Sequence, residues 1–421
     1  MTPDNFVPST FREVRQIKGI IIGRDVAAAG IERQMAEIGV DPRGIEIMAD
    51  KFEWYTIRIY QVSFRQAAII KQEMLAQGAD AAVSWQVCSW DRSDSESSHS
   101  LLLAGTLRQL RHFIAKLKQQ PFGLPELAER LETGLANYRQ SQTHSTMING
   151  QAYDLFAKTY VMGIINVTPD SFSKDGLLNK EDYIEAALRQ AERMIAEGAD
   201  FLDVGAESTR PGATKIDPAE EEKRLLPVIK ELAASFRIPI SVDTYKPEVA
   251  AKAIALGASI INDQWGLRWP EDPERRMAKI AGESGIPVIV MHNQVQPGYT
   301  DLIREVIDWL DGSVEIAQNN GIKTGQIIVD PGIGFGKTYQ DNLQVIANLE
   351  KFKVLGLPIL LGTSRKSVIG LTLDLSVEER LEGTLAAVVW GLAHGVNIVR
   401  VHDVQSISRA VRMGDAIKSN R

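Results

Sequence analysis

From Lys158 onward the chain repeats one pattern: a short β-branched run, a polar turn, then an amphipathic helical stretch. VMGIIN, FLDVG, IPISVD and SIIND lead into helical periodicity over 181–197, 218–234, 247–256 and 273–283. PVIVMH, QIIVD, PILLG and NIVRVHD do the same for 302–318, 341–349, 377–393 and 405–417. Near-continuous apolar strands alternating with helices specify a parallel sheet covered by those helices. Eight such units over 159–421 predict an α/β fold closed as a (β/α)₈ TIM barrel. A doubly wound open sheet is the competing architecture; the count and the unbroken alternation favour closure.

A closed barrel gathers the C-terminal ends of its strands on one rim, where catalytic groups sit. Each run here ends in polarity: Asn166 before TPDSFSKDG, Asp203 before GAESTRPGA, Asp243-Thr244, Asn262-Asp263, and Met291-His292-Asn293. Asp330 precedes PGIGFGK, the seventh run enters GTSRKS, and the eighth carries Arg400, His402 and Asp403. Singly, such residues are adequately explained as helix caps or strand-end hydrogen bonders. Eight of them on one rim are not. Carboxylates and an amide there suit a heterocycle with paired N–H donors. Arg400 and His402, with Asn166 across the seam between the eighth and first runs, suit a phosphoryl group. GFGK lacks the spacing of a phosphate-binding P-loop and reads as a barrel loop.

The region before the barrel has a different character. Residues 1–140 read as a smaller α/β or α+β domain, and 141–158 as a polar linker running into a hairpin. Apolar runs at 19–23, 55–62, 80–90 and 100–103 alternate with helical stretches at 26–38, 64–77, 107–118 and 125–139. Cys88 lies in the run 81–90 and is expected to be a buried strand residue. The stretch 91–100 reads as an exposed loop; Asp50, Lys51 and Glu53 read as a polar turn. No acid–base or metal-ligating cluster marks this domain, and His99 and His112 are isolated. Oligomerisation or partner binding is expected of it ahead of a second activity.

Composition narrows the setting. With 44% hydrophobic and 24% charged residues among 421, the chain has the make-up of a globular protein with a full core. A formal net charge of −7 argues against a nucleic-acid or anionic-membrane surface. A single cysteine allows no internal disulfide, and no apolar run reaches the length of a membrane span, so a cytoplasmic protein is expected.

The motifs MGIINVTPDSFSKDG, DVGAESTRPGA, ISVDTYKPEVA, IINDQWG, DPGIGFGK, GTSRKSVIG and IVRVHDV, in this order, closely resemble dihydropteroate synthases from about Gly150 to the C-terminus. The resemblance implies condensation of 6-hydroxymethyl-7,8-dihydropterin pyrophosphate with p-aminobenzoate, giving 7,8-dihydropteroate and pyrophosphate. It implies Asp243, Asn262, Asp330 and Lys366 around the pterin ring, with Met291, Phe335 and Gly362 beside it. Asn166, Arg400 and His402 would hold pyrophosphate, Asn166 also meeting a Mg²⁺ cofactor. Phe172, Thr209, Arg210, Pro211, Lys366 and Ser367 would form the p-aminobenzoate site, with Lys366, Asp330 and Asp243 central to catalysis. A homodimer and sensitivity to sulfonamides, as p-aminobenzoate mimics, are further implications. Two departures stand out: Lys174 in SFSKDG where the commoner pattern is SFSDGG, and Ala206 in GAEST where it is GGEST. Two other readings fit parts of the pattern: a pterin-dependent methyltransferase on the same kind of barrel, or a non-catalytic pterin-binding scaffold. STRPGA, TSRKS and the RVHD pair speak against the first.

Overall fold

The β-branched runs after Lys158 pair side by side as parallel strands in a computed structural model that describes residues 20–24, 30–89, 98–139, 145–167, 180–207 and 215–420. Two units are distinguished: Met1–Gln142 with Val354–Gly356, and Thr143–Lys353 with Leu357–Asn420.

In the first unit, β1 (Ile20–Arg24), β2 (Trp54–Val62), β3 (Asp80–Ala82) and β4 (His99–Thr106) form an antiparallel sheet in the order β1-β2-β4-β3. The helices are α1 (Ile31–Glu37), α2 (Pro42–Phe52), α3 (Phe64–Ala76), α4 (Trp85–Ser89), α5 (Leu107–Leu117) and α6 (Leu124–Tyr138). Strand alternation turns Tyr55, Ile57 and Ile59 inward against Ile70 and Met74 of α3, Phe113 of α5 and Leu131 of α6. Capping boxes at Ser63/Gln66 and Thr106/Gln109 start α3 and α5 directly after their strands.

Three expectations are corrected here. Residues 42–52 are a helix started by an Asp41 cap with Pro42 in its first turn, so Asp50 and Lys51 end a helix. Glu53 is buried, accepting from Tyr55 Oη at 2.7 Å and pairing with Arg139 Nε at 3.2 Å. Cys88 is exposed on the short helix α4, and His99 and Ser100 open β4.

The second unit begins with a hairpin, β5 (Ser145–Ile148) and β6 (Gln151–Asp154). Its turn residues, Asn149 and Gly150, both have positive φ, the conformation an Asn-Gly hairpin turn favours. The barrel strands are β7 (Tyr160–Asn166), β8 (Phe201–Gly205), β9 (Ile240–Asp243), β10 (Ile260–Asp263), β11 (Val288–Met291), β12 (Ile327–Asp330), β13 (Leu360–Leu361) and β14 (Ile398–Val401). Each pairs in parallel with its sequence neighbour except β12 and β13, β14 pairs β7, and a parallel bridge between Val329 and Ile359 joins the remaining edges. An open sheet is thereby ruled out.

Outside the strands run α7 (Lys180–Ala196), α8 (Pro218–Ser235), α9 (Pro247–Ala255), α10 (Arg276–Ser284), α11 (Leu302–Asn319) and α12 (Tyr339–Ala347). They are followed by α13 (Ser367–Leu373), α14 (Leu381–Ala393) and α15 (Val404–Lys418). The helical stretch expected over 377–393 is divided: a 3₁₀ turn at Val377–Glu379 precedes α14, and α13 stands before both. The base of the barrel is filled by Met162, Phe201, Ile260, Ile289, Ile328, Leu360 and Ile398, with Ile148 and Tyr153 of the hairpin packed against them.

Candidate active site

Side chains two positions apart on a strand face the same way. Two residues beyond the apolar floor formed by Phe201, Ile260, Ile289, Ile328, Leu360 and Ile398 stand Asp203, Asn262, Met291, Asp330, Gly362 and Arg400. Asp243 joins this layer as the register partner of Asn262. A single period-two step thus converts a greasy plug into a charged rim and gathers five of the expected residues, with Asp243 the sixth through register.

Arg400 organises the layer. Its Nε donates to Asp203 Oδ2 at 2.5 Å and its Nη2 to Asp243 Oδ2 at 2.6 Å. Asn262 Nδ2 donates to both oxygens of Asp203, at 3.1 and 3.3 Å. Burial drives Asp243 up to about 7; Arg400 opposes that rise and the like charge of Asp203 adds to it. Arg400 is pushed in the opposite sense to what its burial would do, because Asp203 and Asp243 outweigh the desolvation, so the guanidinium stays charged. Asp330, also raised by burial, accepts from the Gly332 N–H at 2.7 Å.

Lys366 closes the rim from the loop after β13. Its ammonium donates to the Ile333 carbonyl and lies 4.8 Å from the centre of the Phe335 ring. Burial lowers it to about 8, Asp330 and Asp243 resisting and Arg400 assisting. The mutual influence of Asp243, Asp330, Lys366 and Arg400 places them in one electrostatic unit.

His402 is set by Ser364. The His402 backbone N–H donates to Ser364 Oγ at 3.1 Å, and the ring Nδ1 lies 2.9 Å from the same oxygen. Ser364 Oγ thus fixes both the backbone and the ring of His402. Asn166 ends β7 beside Gly205, partly exposed. Ser367 is exposed at the first position of α13. Phe172, Lys174, Asp175, Thr209, Arg210 and Pro211 lie outside the described residues. Ala206 has no positive φ, as an alanine there requires.

Asp203 was read as a strand-end residue of the rim without a role there, and two loop cations, Lys337 and Arg365, were not read as part of the site. Asp203, wholly buried, was readable from the same two-residue step that marks its neighbours. Lys337 of the GFGK loop donates to the Gly332 and Phe335 carbonyls at 2.9 and 3.1 Å and meets His292 Nδ1 at 2.8 Å. Burial holds His292 down at about 2, hence neutral, and Lys337 down at about 7. Arg365 pairs with Asp403 through Nε at 3.0 Å and Nη2 at 2.5 Å, joining the loops after β13 and β14.

Among the described residues no group of three or more His, Cys, Asp or Glu side chains is placed to hold a metal. A Mg²⁺ carried by a diphosphate needs only one or two protein oxygens. The amide oxygen of Asn166 at the rim is a donor of that kind.

The model of the family described as pterin binding enzymes matches residues 162–402. A dihydropteroate synthase of Clostridium beijerinckii is 48% identical over 271 residues, covering 64% of this chain and 98% of that one. A Haloferax volcanii protein described as a probable bifunctional folylpolyglutamate synthase/dihydropteroate synthase is 39% identical over 376 residues, covering 84% of this chain and 42% of that one. That match is longer than the barrel unit and therefore extends into the N-terminal unit. The crystal structure of a Clostridium difficile dihydropteroate synthase in the presence of pteroic acid superposes with a TM-score of 0.60 at 47% identity, covering 63% of this chain and 98% of that one. The chain belongs to the dihydropteroate synthase family of pterin-binding enzymes.

Proposed function

We propose that this rim condenses 6-hydroxymethyl-7,8-dihydropterin pyrophosphate with p-aminobenzoate, and that the residues gathered on it hold the substrates. The observation that carries the assignment is the paired layer: acceptors at Asp243, Asn262 and Asp330 beside cations at Arg400 and Lys366. The acceptors match the N–H edge of a pterin, with Met291, Gly362 and Phe335 offering apolar surface next to it. Arg400, Asn166 and the imidazole of His402 match the oxygens of pyrophosphate.

The reaction breaks the bond between the pterin's exocyclic methylene and a pyrophosphate oxygen, whose electron pair leaves with pyrophosphate. The aniline nitrogen then bonds to that carbon and gives up its proton. Arg400 and His402 stabilise the departing charge; Asp330 and Asp243 stabilise the positive charge that develops on the pterin. Lys366 and Ser367 orient p-aminobenzoate, together with Phe172, Thr209, Arg210 and Pro211. Bound Mg²⁺, held at Asn166, would add charge neutralisation on the diphosphate.

We further propose a homodimer in the cytoplasm. Exposed Leu371, Leu373, Val389, Trp390, Met413 and Ile417 on α13–α15 offer an apolar face for a second copy. The lone Cys88 calls for no oxidising compartment. The deciding assay is pyrophosphate release. It is expected only with both substrates present, and release without p-aminobenzoate at the same rate would reject the condensation.

A further inference from the structure

The turn between β12 and α12 has a backbone that only glycine makes easy. In Gly332-Ile333-Gly334-Phe335-Gly336 the three glycines hold φ of +72°, +85° and +56°. No helix or strand ladder takes up the N–H and C=O groups of such a segment, so they need other partners. One bond, from the Phe335 N–H to the Gly332 carbonyl at 3.2 Å, closes the turn on itself. Side chains hold it from outside. Asn342 of α12 accepts from the Gly334 N–H at 2.6 Å, and Tyr299, ahead of α11, donates to the Gly336 carbonyl at 2.8 Å.

Lys337 stands at the centre of this arrangement. Its Nζ folds back to the Gly332 and Phe335 carbonyls and to His292 Nδ1, the last at 2.8 Å. An amine with three polar neighbours at hydrogen-bond distance has no hydrogen left for a ligand. His292 is itself held edge-on against Trp309 of α11, the ring centres 5.0 Å apart. The loop after β11 thus anchors the turn after β12 through one side chain.

The groups that this turn presents interleave with those that Lys337 grips. The Gly332 N–H holds Asp330, the Ile333 carbonyl accepts from Lys366, and the Phe335 ring lies against the same ammonium. Lys337 grips the carbonyls of Gly332 and Phe335, on either side of Ile333. Withdrawing an amine from water to meet only uncharged partners is costly, so stability alone does not account for a lysine here. We infer that Lys337 is a positioning residue for the pterin half-site: it fixes the turn 332–336 and through it sets Lys366 and Asp330. This rests on the reading of those two residues as pterin ligands.

Asp330→Ala is the control for that reading. It should raise the Kd for 6-hydroxymethylpterin, measured by calorimetry, at least tenfold; an unmoved Kd would remove the pterin reading and the inference with it. Lys337→Met should raise the same Kd tenfold or more. The Kd for inorganic pyrophosphate should stay within about twofold, because Asn166, Arg400 and His402 belong to β7, β14 and the residue after β14. An unmoved pterin Kd in a folded Lys337→Met protein, while Asp330→Ala responds, would overturn the positioning role. Equal losses for pterin and pyrophosphate would do the same, since they mark a general loosening of the barrel.

Because Lys337→Met leaves two carbonyls without its donor, Tyr299→Phe accompanies it and removes a single bond from the same turn. It should raise the pterin Kd about threefold with pyrophosphate affinity unmoved; no change there would count against the inference. The route is tested by combining Lys337→Met with Lys366→Met. If Lys337 acts mainly through Lys366, the double variant should bind pterin no more than about threefold more weakly than Lys366→Met alone. A full further tenfold loss would show that the two lysines act independently and overturn the assignment.

Discussion

The Nη2 of Arg400 donates to Asp243 Oδ2 at 2.6 Å, so the cation that suits pyrophosphate is held by the carboxylate that suits the pterin. The two half-sites share a component before either substrate arrives. Asp203 meets the same guanidinium, and burial, with the like charge of Asp203 added, leaves Asp243 inclined to take up a proton.

Asp243→Asn separates the two half-sites. The amide keeps the shape but loses a charged acceptor, which is worth about 1.5–3 kcal/mol in a buried hydrogen bond. Binding of 6-hydroxymethylpterin should weaken at least tenfold by calorimetry. Inorganic pyrophosphate should bind no more weakly than to the unaltered enzyme, because Arg400 is released from one partner. Loss of both affinities in equal measure would contradict this division.

Gly332→Ala should be among the most damaging small changes in the barrel. Gly332 has φ +72°, and a Cβ there would lie 1.9 Å from the His292 carbonyl oxygen. Its N–H also holds Asp330 at 2.7 Å. We expect a loss of more than about 2 kcal/mol in urea unfolding, with pterin affinity falling in parallel. A stable variant with normal pterin binding would show that the turn has room to relax.

Arg365 occupies the left-handed region at φ +57° and is held there by Asp403 through its side chain. Its backbone N–H donates to Thr384 Oγ1 at 3.2 Å and its carbonyl accepts from Arg380 Nη1 at 2.9 Å. Arg365→Ala loses the ion pair and keeps the strain, whereas Arg365→Gly loses the pair and relieves it. A left-handed non-glycine residue costs about 1 kcal/mol. The glycine variant should therefore lie about 1 kcal/mol above the alanine one in urea titration, both below the unaltered enzyme. The reverse order would mean that the segment moves out of that conformation once the pair is gone.

The barrel was legible because strand and helix periods alternate without interruption, and its rim because polar residues sit two steps beyond apolar ones on the same strands. Asp203 follows Phe201 by the same step as Asp330 follows Ile328, so its place on the rim was legible, while its pairing with Arg400, 197 residues away, was not. Lys337 and Arg365 were illegible for that reason too. Their partners, His292 and Asp403, are 45 and 38 residues away, and only tertiary contact reveals which loop cation meets which acceptor. In the N-terminal unit the run around Cys88 is too short for periodicity to separate strand from helix. Glu53 looked like surface because its partner Arg139 lies 86 residues downstream.

The pH dependence of kcat/KM follows from Asp243 and Lys366, since that ratio reports the free enzyme. Lys366 is lowered to about 8, chiefly by burial, so its ammonium is present below that pH and lost above it. Asp243 is raised to about 7, again chiefly by burial, so its carboxylate is present above that pH and protonated below it. If both charged forms are needed, kcat/KM should rise through about 7, fall above about 8, and be greatest between. Stability should run differently. Between the ordinary carboxylate range and about 7, Asp243 holds a proton in the folded state that it lacks in the unfolded one, so its contribution declines as pH rises through that window. Between about 8 and the ordinary lysine value of about 10.4, the unfolded state holds the extra proton at Lys366, so this contribution grows with pH. Asp243→Asn should abolish the acidic limb of the rate profile, and Lys366→Arg the alkaline one. Lys366→Ala should lower kcat/KM more than tenfold, at least about 1.4 kcal/mol in the barrier. An alkaline limb that persists in Lys366→Arg would assign that ionisation elsewhere, Lys337 being the first alternative, since burial holds it at about 7.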